Sequence, residues 1–281
     1  MGRHAVNVVN LYILRDDFIL DSRKHCVFQV RAFGGEIPMK ETVIRLENVV
    51  LKFPIRRGLT SILRVGSSKN RPSYTALNGI SLDINKGEIV GIIGTNGCGK
   101  STLLRVISGI YLPDEGLCQT RGKISLLSGL GTGFSSHQTG RENAILYGSI
   151  LGYDEQKIRE KLPEIIRFSE LDEFIDEPIR TYSAGMKARL GLAVASAIEP
   201  ELLLIDEVLG VGDPKFREKS TSRILEMVKN AGTVVIVSHS FGMLSEICDR
   251  IVLIDKGEII ADGLPQDSIA KYYSNTKSEG E

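Results

Sequence analysis

The sequence predicts an α/β fold: a largely parallel sheet with helices on both faces. Three observations carry that expectation. Short apolar runs, at residues 202–205 and 234–237, are dense enough to be buried on both sides, as strands of a parallel sheet are. These runs alternate with longer stretches of helical periodicity, the mark of repeated strand–helix units. A Gly-rich turn, Gly94-Thr95-Asn96-Gly97-Cys98-Gly99-Lys100-Ser101, joins one such strand to one such helix.

The elements follow in order. Residues 1–38 stand apart. The apolar stretch 5–14 is followed by Arg15, Asp16 and Asp17 with no small-residue cleavage site, so no signal peptide is expected. Gly2 opens a myristoylation pattern that fails at Val6. The stretch reads as an upstream extension, with Met39 as the start of a domain covering 39–275. Residues 43–51 alternate and predict a strand. Residues 54–73 are basic, with Gly, Ser and Pro, and read as an inserted loop or short helix. Strands are expected at 81–84 and 88–93, then a helix at 100–108. Residues 154–176 are charged. They carry Ile158, Leu162, Ile165, Ile166 and Leu171 at near-helical spacing, which predicts one or two amphipathic helices. There follow a helix at 183–197, a strand at 202–206, a helix at 215–229, a strand at 233–238, a helix at 241–248 and a strand at 251–254. Gly257-Glu258 reads as a hairpin turn, and the tail 276–281 is expected to be disordered.

Composition bounds the function. Lys plus Arg (35) equals Asp plus Glu (35), which argues against a general nucleic-acid binder, so no nucleic-acid partner is expected. Cys26, Cys98, Cys118 and Cys248 show no CxxC spacing and no zinc pattern, and scattered thiols fit a reducing compartment. No apolar run reaches the roughly 18–20 residues of a membrane span. Work at a membrane would require a partner.

The Gly-rich turn fits G-x-x-x-x-G-K-[ST] in full. Its glycines let successive backbone N–H groups converge on phosphates, and the helix beginning at Lys100 and continuing through Ser101 and Thr102 points its positive end at the same anion. Lys100 would reach the β and γ phosphates, and the Ser101 hydroxyl would ligate Mg²⁺. A second signal is the apolar strand that ends in Asp206-Glu207. Two carboxylates there are costly without a positive partner. Asp206 would hold the Mg²⁺ of a bound nucleotide, and Glu207 would face the γ-phosphate and polarise the attacking water.

Between these two lies Thr181-Tyr182-Ser183-Ala184-Gly185-Met186-Lys187-Ala-Arg189-Leu. It resembles the signature helix of ABC ATPases, usually written LSGGQ. Ser183 and Gly185 match; Tyr182, Ala184 and Met186 depart from the pattern. Ser183 is a good N-cap, and the helix tip is an anion site. The resemblance implies an ATP-binding cassette with a small antiparallel β subdomain and a helical lobe at about 130–197. It also implies that Ser183, Ala184, Gly185 and Met186 close over the ATP of a second copy. Asp213 falls where the family's dimer-contacting Asp sits, and His239 resembles the switch histidine that meets the γ-phosphate. Phe53 best fits the aromatic that stacks on adenine, with Tyr74 as the alternative. One family element is missing: a Gln in the loop after the next strand. That stretch reads Leu126-Leu-Ser128-Gly129-Leu-Gly-Thr-Gly-Phe134, where neither Ser128 nor Gly129 can do a Gln's work. Gln138 lies too far along.

Three features look like the ATPases that export bacterial cell-surface polysaccharides. They are residues 182–190, Thr139-Gly-Arg-Glu-Asn143, and the run at 206–213. That resemblance covers about residues 40–270. It implies ATP and Mg²⁺ as cofactors and a homodimer of this subunit under two copies of an integral membrane permease. It further implies a lipid-linked O-antigen, teichoic acid or capsule glycan as cargo, and a peripheral place on the cytoplasmic face of the inner membrane. The carbohydrate-binding domain added in some O-antigen exporters is expected to be lacking. The alternatives are an ABC ATPase for another substrate and one without a transport role. Long coiled coils or a second cassette would mark the latter.

Overall fold

The structure is a computed structural model that describes residues 41–55, 73–197, 200–207 and 214–278. The upstream extension, most of the basic insertion and Asp213 lie outside the described residues, together with the readings placed on them. In chain order the elements are β1 (Thr42–Pro54), β2 (Ser73–Asn85), β3 (Ile89–Ile93), α1 (Lys100–Ile107), β4 (Glu115–Thr120), β5 (Ile124–Leu127), α2 (Gly140–Ile150), α3 (Glu155–Ser169), α4 (Ala184–Ser196), β6 (Leu202–Asp206), α5 (Pro214–Asn230), β7 (Thr233–Val237), α6 (Phe241–Ile247), β8 (Arg250–Asp255), β9 (Glu258–Gly263) and α7 (Pro265–Ser278).

Two sheets result. A six-stranded sheet has the order β5-β6-β7-β3-β8-β9, parallel throughout except for β9, which returns antiparallel to β8. Its centre is made of the dense apolar runs. Residues 234–237 are fully buried, each valine or isoleucine contributing about 1.5–3 kcal/mol of transfer free energy. A separate three-stranded antiparallel sheet has the order β2-β1-β4. The small antiparallel subdomain and the mostly parallel main sheet expected from the sequence are both present.

Helices α2, α3 and α4 pack together as a helical lobe. Asp154 caps α3, its carboxylate accepting from the Gln156 and Lys157 N–H groups. Ile158, Leu162 and Ile165 turn inward to join Tyr147, Leu171, Ile175, Tyr182, Leu190 and Val194 in a core of their own. The 154–176 segment is one helix. It stops at Glu170 in a left-handed conformation (φ 56°). Glu170 then anchors a clasp between α3, α4 and α5. Its carboxylate meets Lys219 at 2.8 Å and Arg189 at 3.5 Å. Arg189 stands 4.6 Å over the Phe216 ring and Lys219 stands 4.9 Å over Phe168.

Several boundaries differ from expectation. The second strand begins at Ser73, well before residue 81, because pairing with β1 carries it outward. The hairpin turn is Lys256-Gly257, one residue earlier than read, since both take positive φ and Asp255 pairs with Glu258. The tail is helical through Ser278. α7 opens with Pro265 at its first position and is pinned by the buried Ser268 hydroxyl, which donates to the Ile251 carbonyl at 2.7 Å. Residues 276–278 of the expected tail are helical, and 279–281 lie outside the described residues.

Candidate functional site

Strand register assembles the site. Ser128, Asp206 and His239 follow or end adjacent parallel strands. Leu127 pairs with Ile205, which sets Ser128 beside Asp206. Asp206 pairs with Val237, two residues before His239, and Val237 pairs with Ile92, just ahead of the Gly-rich turn. All the candidate groups thus gather at the carboxyl edge of the sheet, where open α/β sheets bind ligands.

The Gly-rich turn is a closed cradle. A side chain at Gly94 would meet the Ile254 carbonyl at 2.2 Å, and one at Gly99 would meet the Ala76 carbonyl at 2.6 Å. Gly94, Gly97 and Gly99 have φ of 152°, 81° and 114°, the last at the N-cap of α1, so the backbone needs glycine as well as the space. Thr95 is half-buried and accepts from the Cys98 N–H, while Asn96 and Gly97 are exposed at the rim. Cys98 is buried against Gly94, and burial pushes its thiol above the ordinary range. The buried Lys100 curls over the loop and donates to the Gly94 carbonyl at 2.9 Å and the Thr95 carbonyl at 3.0 Å. Both of these partners are neutral carbonyls. Thr102 follows in the first turn of α1, half-buried.

Ser101 donates to Asp206 Oδ1 at 2.8 Å, joining the loop to the acidic strand. Ser128 donates to the other oxygen, Oδ2, at 3.2 Å. Glu207 sits at φ 53°, a left-handed conformation that costs a non-glycine residue about 1–3 kcal/mol. Its N–H donates to the Val237 carbonyl at 3.1 Å, which helps hold that turn. The turn aims the carboxylate at His239, whose Nε2 lies 3.0 Å from Glu207 Oε1. Both side chains are about half exposed (47% and 48%), so a water and a phosphate can reach them. The sequence named Lys100, Ser101, Asp206, Glu207 and His239 separately; the structure gathers them at one edge of the sheet, with Ser101 bonded to Asp206 and Glu207 paired with His239. It missed the part of Ser128, whose only signal was its place after a strand neighbouring the acidic one.

The two candidate aromatics are cross-strand partners, Phe53 opposite Tyr74. Phe53 packs edge-on against Tyr111 with ring centres 5.5 Å apart and joins the sheet core. Tyr74 is 50% exposed, and its hydroxyl donates to the Gly97 carbonyl at 2.9 Å. Tyr74 therefore stands against the cradle itself.

At the other end of the lobe, Ser183 caps α4 and accepts from the Met186 N–H at 3.1 Å. Ser183 and Ala184 are exposed; Gly185 and Met186 are half-buried. A side chain at Gly185 would find no atom nearer than the Ser183 hydroxyl at 3.7 Å. Nothing among the described residues requires glycine there. The preceding Tyr182 is buried. Its hydroxyl donates to the Phe174 carbonyl at 2.5 Å, and burial pushes its pKa up to about 12. A side chain at Gly140 would fall 2.2 Å from that hydroxyl, so the glycine of the 139–143 motif makes room for Tyr182. The rest of the motif is also structural. Thr139 and Glu142 form a capping box, and Arg141 grips Asp176 at 2.8 Å. The buried Asn143 holds its neighbouring loop. Its Nδ2 lies within 3.1 Å of three carbonyls, those of Ser135, Gln138 and Thr139, and its Oδ1 accepts from the Ser135 N–H.

A glycine cradle with a buried lysine, a hydroxyl on a strand-end aspartate, and a glutamate–histidine pair define an ATPase of the phosphate-loop class. Comparison with known proteins narrows this. Residues 77–210 match the family described as ABC transporter. The chain is 47% identical over 205 residues to the O-antigen export system ATP-binding protein RfbB of Myxococcus xanthus, covering 73% of this chain and 47% of that protein. It is 40% identical over 240 residues to RfbB of Klebsiella pneumoniae, covering 83% of this chain and 98% of that one. It is 40% identical over 209 residues to the teichoic acids export ATP-binding protein TagH of Lactococcus lactis, covering 74% of this chain and 45% of that one. Among solved structures, an ATP-binding subunit of an ABC transporter superposes with TM-score 0.64 at 22% identity, over 83% of this chain and 99% of that one. The ATP-binding cassette MJ0796, in a dimeric post-hydrolysis state bound to ADP and Pi, superposes with TM-score 0.61 at 24% identity, over 79% and 98%. This chain belongs to the ABC transporter family, among the ATPases of the polysaccharide-export type. No helix of the described residues is long and apolar enough to cross a membrane.

Proposed function

We propose that two copies of this chain clamp two ATP molecules between them and, beneath two copies of a membrane permease, drive a lipid-linked cell-surface polysaccharide outward from the cytoplasmic face of the inner membrane. The observation that carries the reading is a mismatch. Lys100, Ser101, Asp206, Glu207 and His239 gather at the carboxyl edge of the sheet, while the exposed, capped tip of α4 at Ser183 carries a glycine, Gly185, that no described residue of its own chain requires.

In this reading Lys100 and the loop N–H groups take the phosphates, and the N–H groups at the tip of α4 in the second copy take the γ-phosphate of the same ATP. Ser101 and Asp206 offer hard oxygens 2.8 Å apart, a donor set suited to Mg²⁺, which takes few protein ligands and completes its shell with phosphate and water. When bound, Mg²⁺ supplies positive charge against the phosphate oxygens. Glu207 accepts a proton from the attacking water, and His239 holds that carboxylate in position and faces the γ-phosphate. Tyr74, exposed and tied to Gly97, offers the flat face on which adenine stacks; the edge-on Tyr111 contact draws Phe53 toward the core. ATP binding closes the pair and hydrolysis reopens it, because the nucleotide binds the closed state better.

The test is Glu207→Gln. With saturating Mg-ATP, light scattering after gel filtration should show a dimer, while turnover falls by about 10²–10⁴-fold. A variant that stays monomeric, alone and beside its permease, would overturn the clamp. Accumulation of undecaprenyl-linked or similar lipid-linked glycan on the inner leaflet after loss of the gene tests the cargo; normal surface display would refute it.

A further inference from the structure

Ser128 occupies the root of the loop from which the family's Gln is missing, and its hydroxyl reaches Asp206 Oδ2 at 3.2 Å. With Ser101 on Oδ1 at 2.8 Å, the carboxylate is held by two hydroxyls from two different loops. The strand register makes this geometry obligatory, since Leu127 beside Ile205 leaves Ser128 facing Asp206. Ser128 is too short to stand in for the Gln directly.

We propose that Ser128 is a positioning residue for the metal site: it fixes the orientation of Asp206, and by the same bond fastens the glycine loop 128–134 to that site. The proposal rests on the reading of Ser101 and Asp206 as Mg²⁺ ligands. Two further features support it. If Ser101 turns its oxygen to a metal, Ser128 is the hydroxyl that remains on Asp206, and a carboxylate held by an outer partner is a better-oriented ligand. The loop that Ser128 begins also lies against the signature helix. A side chain at Gly131 would come 3.3 Å from the Lys187 carbonyl, and one at Gly191 would come 2.6 Å from the Gly131 N–H nitrogen. Gly129, Gly131 and Gly133 all take positive φ, and Thr132 and Phe134 donate back to Gly129 and Gly131, so the loop is a folded coil with a defined path. The chain from Asp206 through Ser128 to Gly131 and α4 is thus a bonded and packed link between the phosphate site and the helix that serves the other copy.

The experiment uses Mn²⁺ as the metal probe. The intact chain is saturated with a non-hydrolysable ATP analogue, and free Mn²⁺ is followed by electron paramagnetic resonance. Ser128→Ala should raise the Mn²⁺ concentration for half-saturation by about tenfold, the usual scale for loss of an outer-shell partner. Ser128→Thr, which keeps the hydroxyl, should stay near wild type, and melting temperatures should agree among the three. Asp206→Asn separates the underlying reading from this one. If Asp206→Asn weakens Mn²⁺ and Ser128→Ala does not, the role given to Ser128 is wrong and the metal site stands. If neither moves the curve, both fall. If Ser128→Thr is as weak as Ser128→Ala, the hydroxyl is not the cause and the proposal fails.

Discussion

At the carboxyl edge of the parallel sheet, the groups that would meet a phosphate already hold one another: Lys100 on two carbonyls, Ser101 and Ser128 on Asp206, Glu207 beside His239. At the tip of α4 the polar groups look outward, apart from the cap from Ser183 to Met186. The glycines mark the same contrast. Gly94 and Gly99 are demanded by their own chain, since a side chain at either would strike a carbonyl within 2.6 Å. Gly185 is demanded by nothing among the described residues. On the proposed reading, that glycine has its reason in the second copy. The comparison then sets a region that folding completes against one that the clamp would complete.

The sharpest way to break this comparison is Gly185→Asp. An acid in the first turn of a helix favours the macrodipole, and replacing glycine there favours the helix, so the melting temperature should hold or rise. The same charge facing the γ-phosphate of the partner's ATP should cut turnover by about 10²–10³-fold, the scale for loss of a transition-state donor. Nucleotide binding by the monomer, read by fluorescence of a labelled analogue, should be unchanged. If turnover survives, the tip of α4 does not face phosphate.

A smaller effect sharpens the comparison from the structural side. Asn143→Ala leaves the Ser135 N–H and three carbonyls short of a buried partner, and should cost about 1–3 kcal/mol in urea unfolding. Because the loop it holds packs on the lobe, metal-free nucleotide binding at the cradle should change little.

The smallest effect is alkaline. The pKa values of Cys118, Cys248 and Tyr182 are raised by burial, to about 11 for the first and about 12 for the other two. A raised acid group adds stability that is complete below its unfolded pKa and fades as pH climbs to the folded one. Stability followed by circular dichroism should therefore be flat with respect to these groups below about pH 8.5 and decline between there and pH 12. Tyr182→Phe should remove the tyrosine part of that slope. Neutral-pH stability should drop by about 1 kcal/mol for the lost hydrogen bond to Phe174.

What the sequence disclosed follows from how local each signal is. Residues 202–206 and 233–237 announce themselves because burial on both faces leaves unbroken apolar runs. The cradle is visible because its chemistry needs fixed residue types at fixed spacing. Residues 115–120 form a strand that no period betrays, since Gly116 and Gln119 interrupt it and pairing with β1 alone creates it. The end of α7, residues 276–278, is polar enough to read as a tail, and the helix it continues is held by tertiary contacts such as Ser268 with Ile251. The role of the 139–143 motif was hidden for the same reason. Gly140 makes sense only once Tyr182, some forty positions later, is seen filling the space beside it. The bond between Ser128 and Asp206 likewise depends on which strands become neighbours, and no linear reading orders strands within a sheet.

The clasp at Glu170 has a mechanical consequence. Ion pairs at partly exposed side chains and cations above aromatic rings tolerate a change of angle far better than interlocked aliphatic chains do. The same helices also share buried apolar packing, with Leu192 and Ala195 of α4 in one core with Phe216 and Ile224 of α5, so the clasp adds a salt-sensitive tie to a salt-insensitive one. Raising ionic strength toward 1 M, where charges are screened within about 3 Å, should weaken the Glu170 pairs and leave the apolar part of the contact in place.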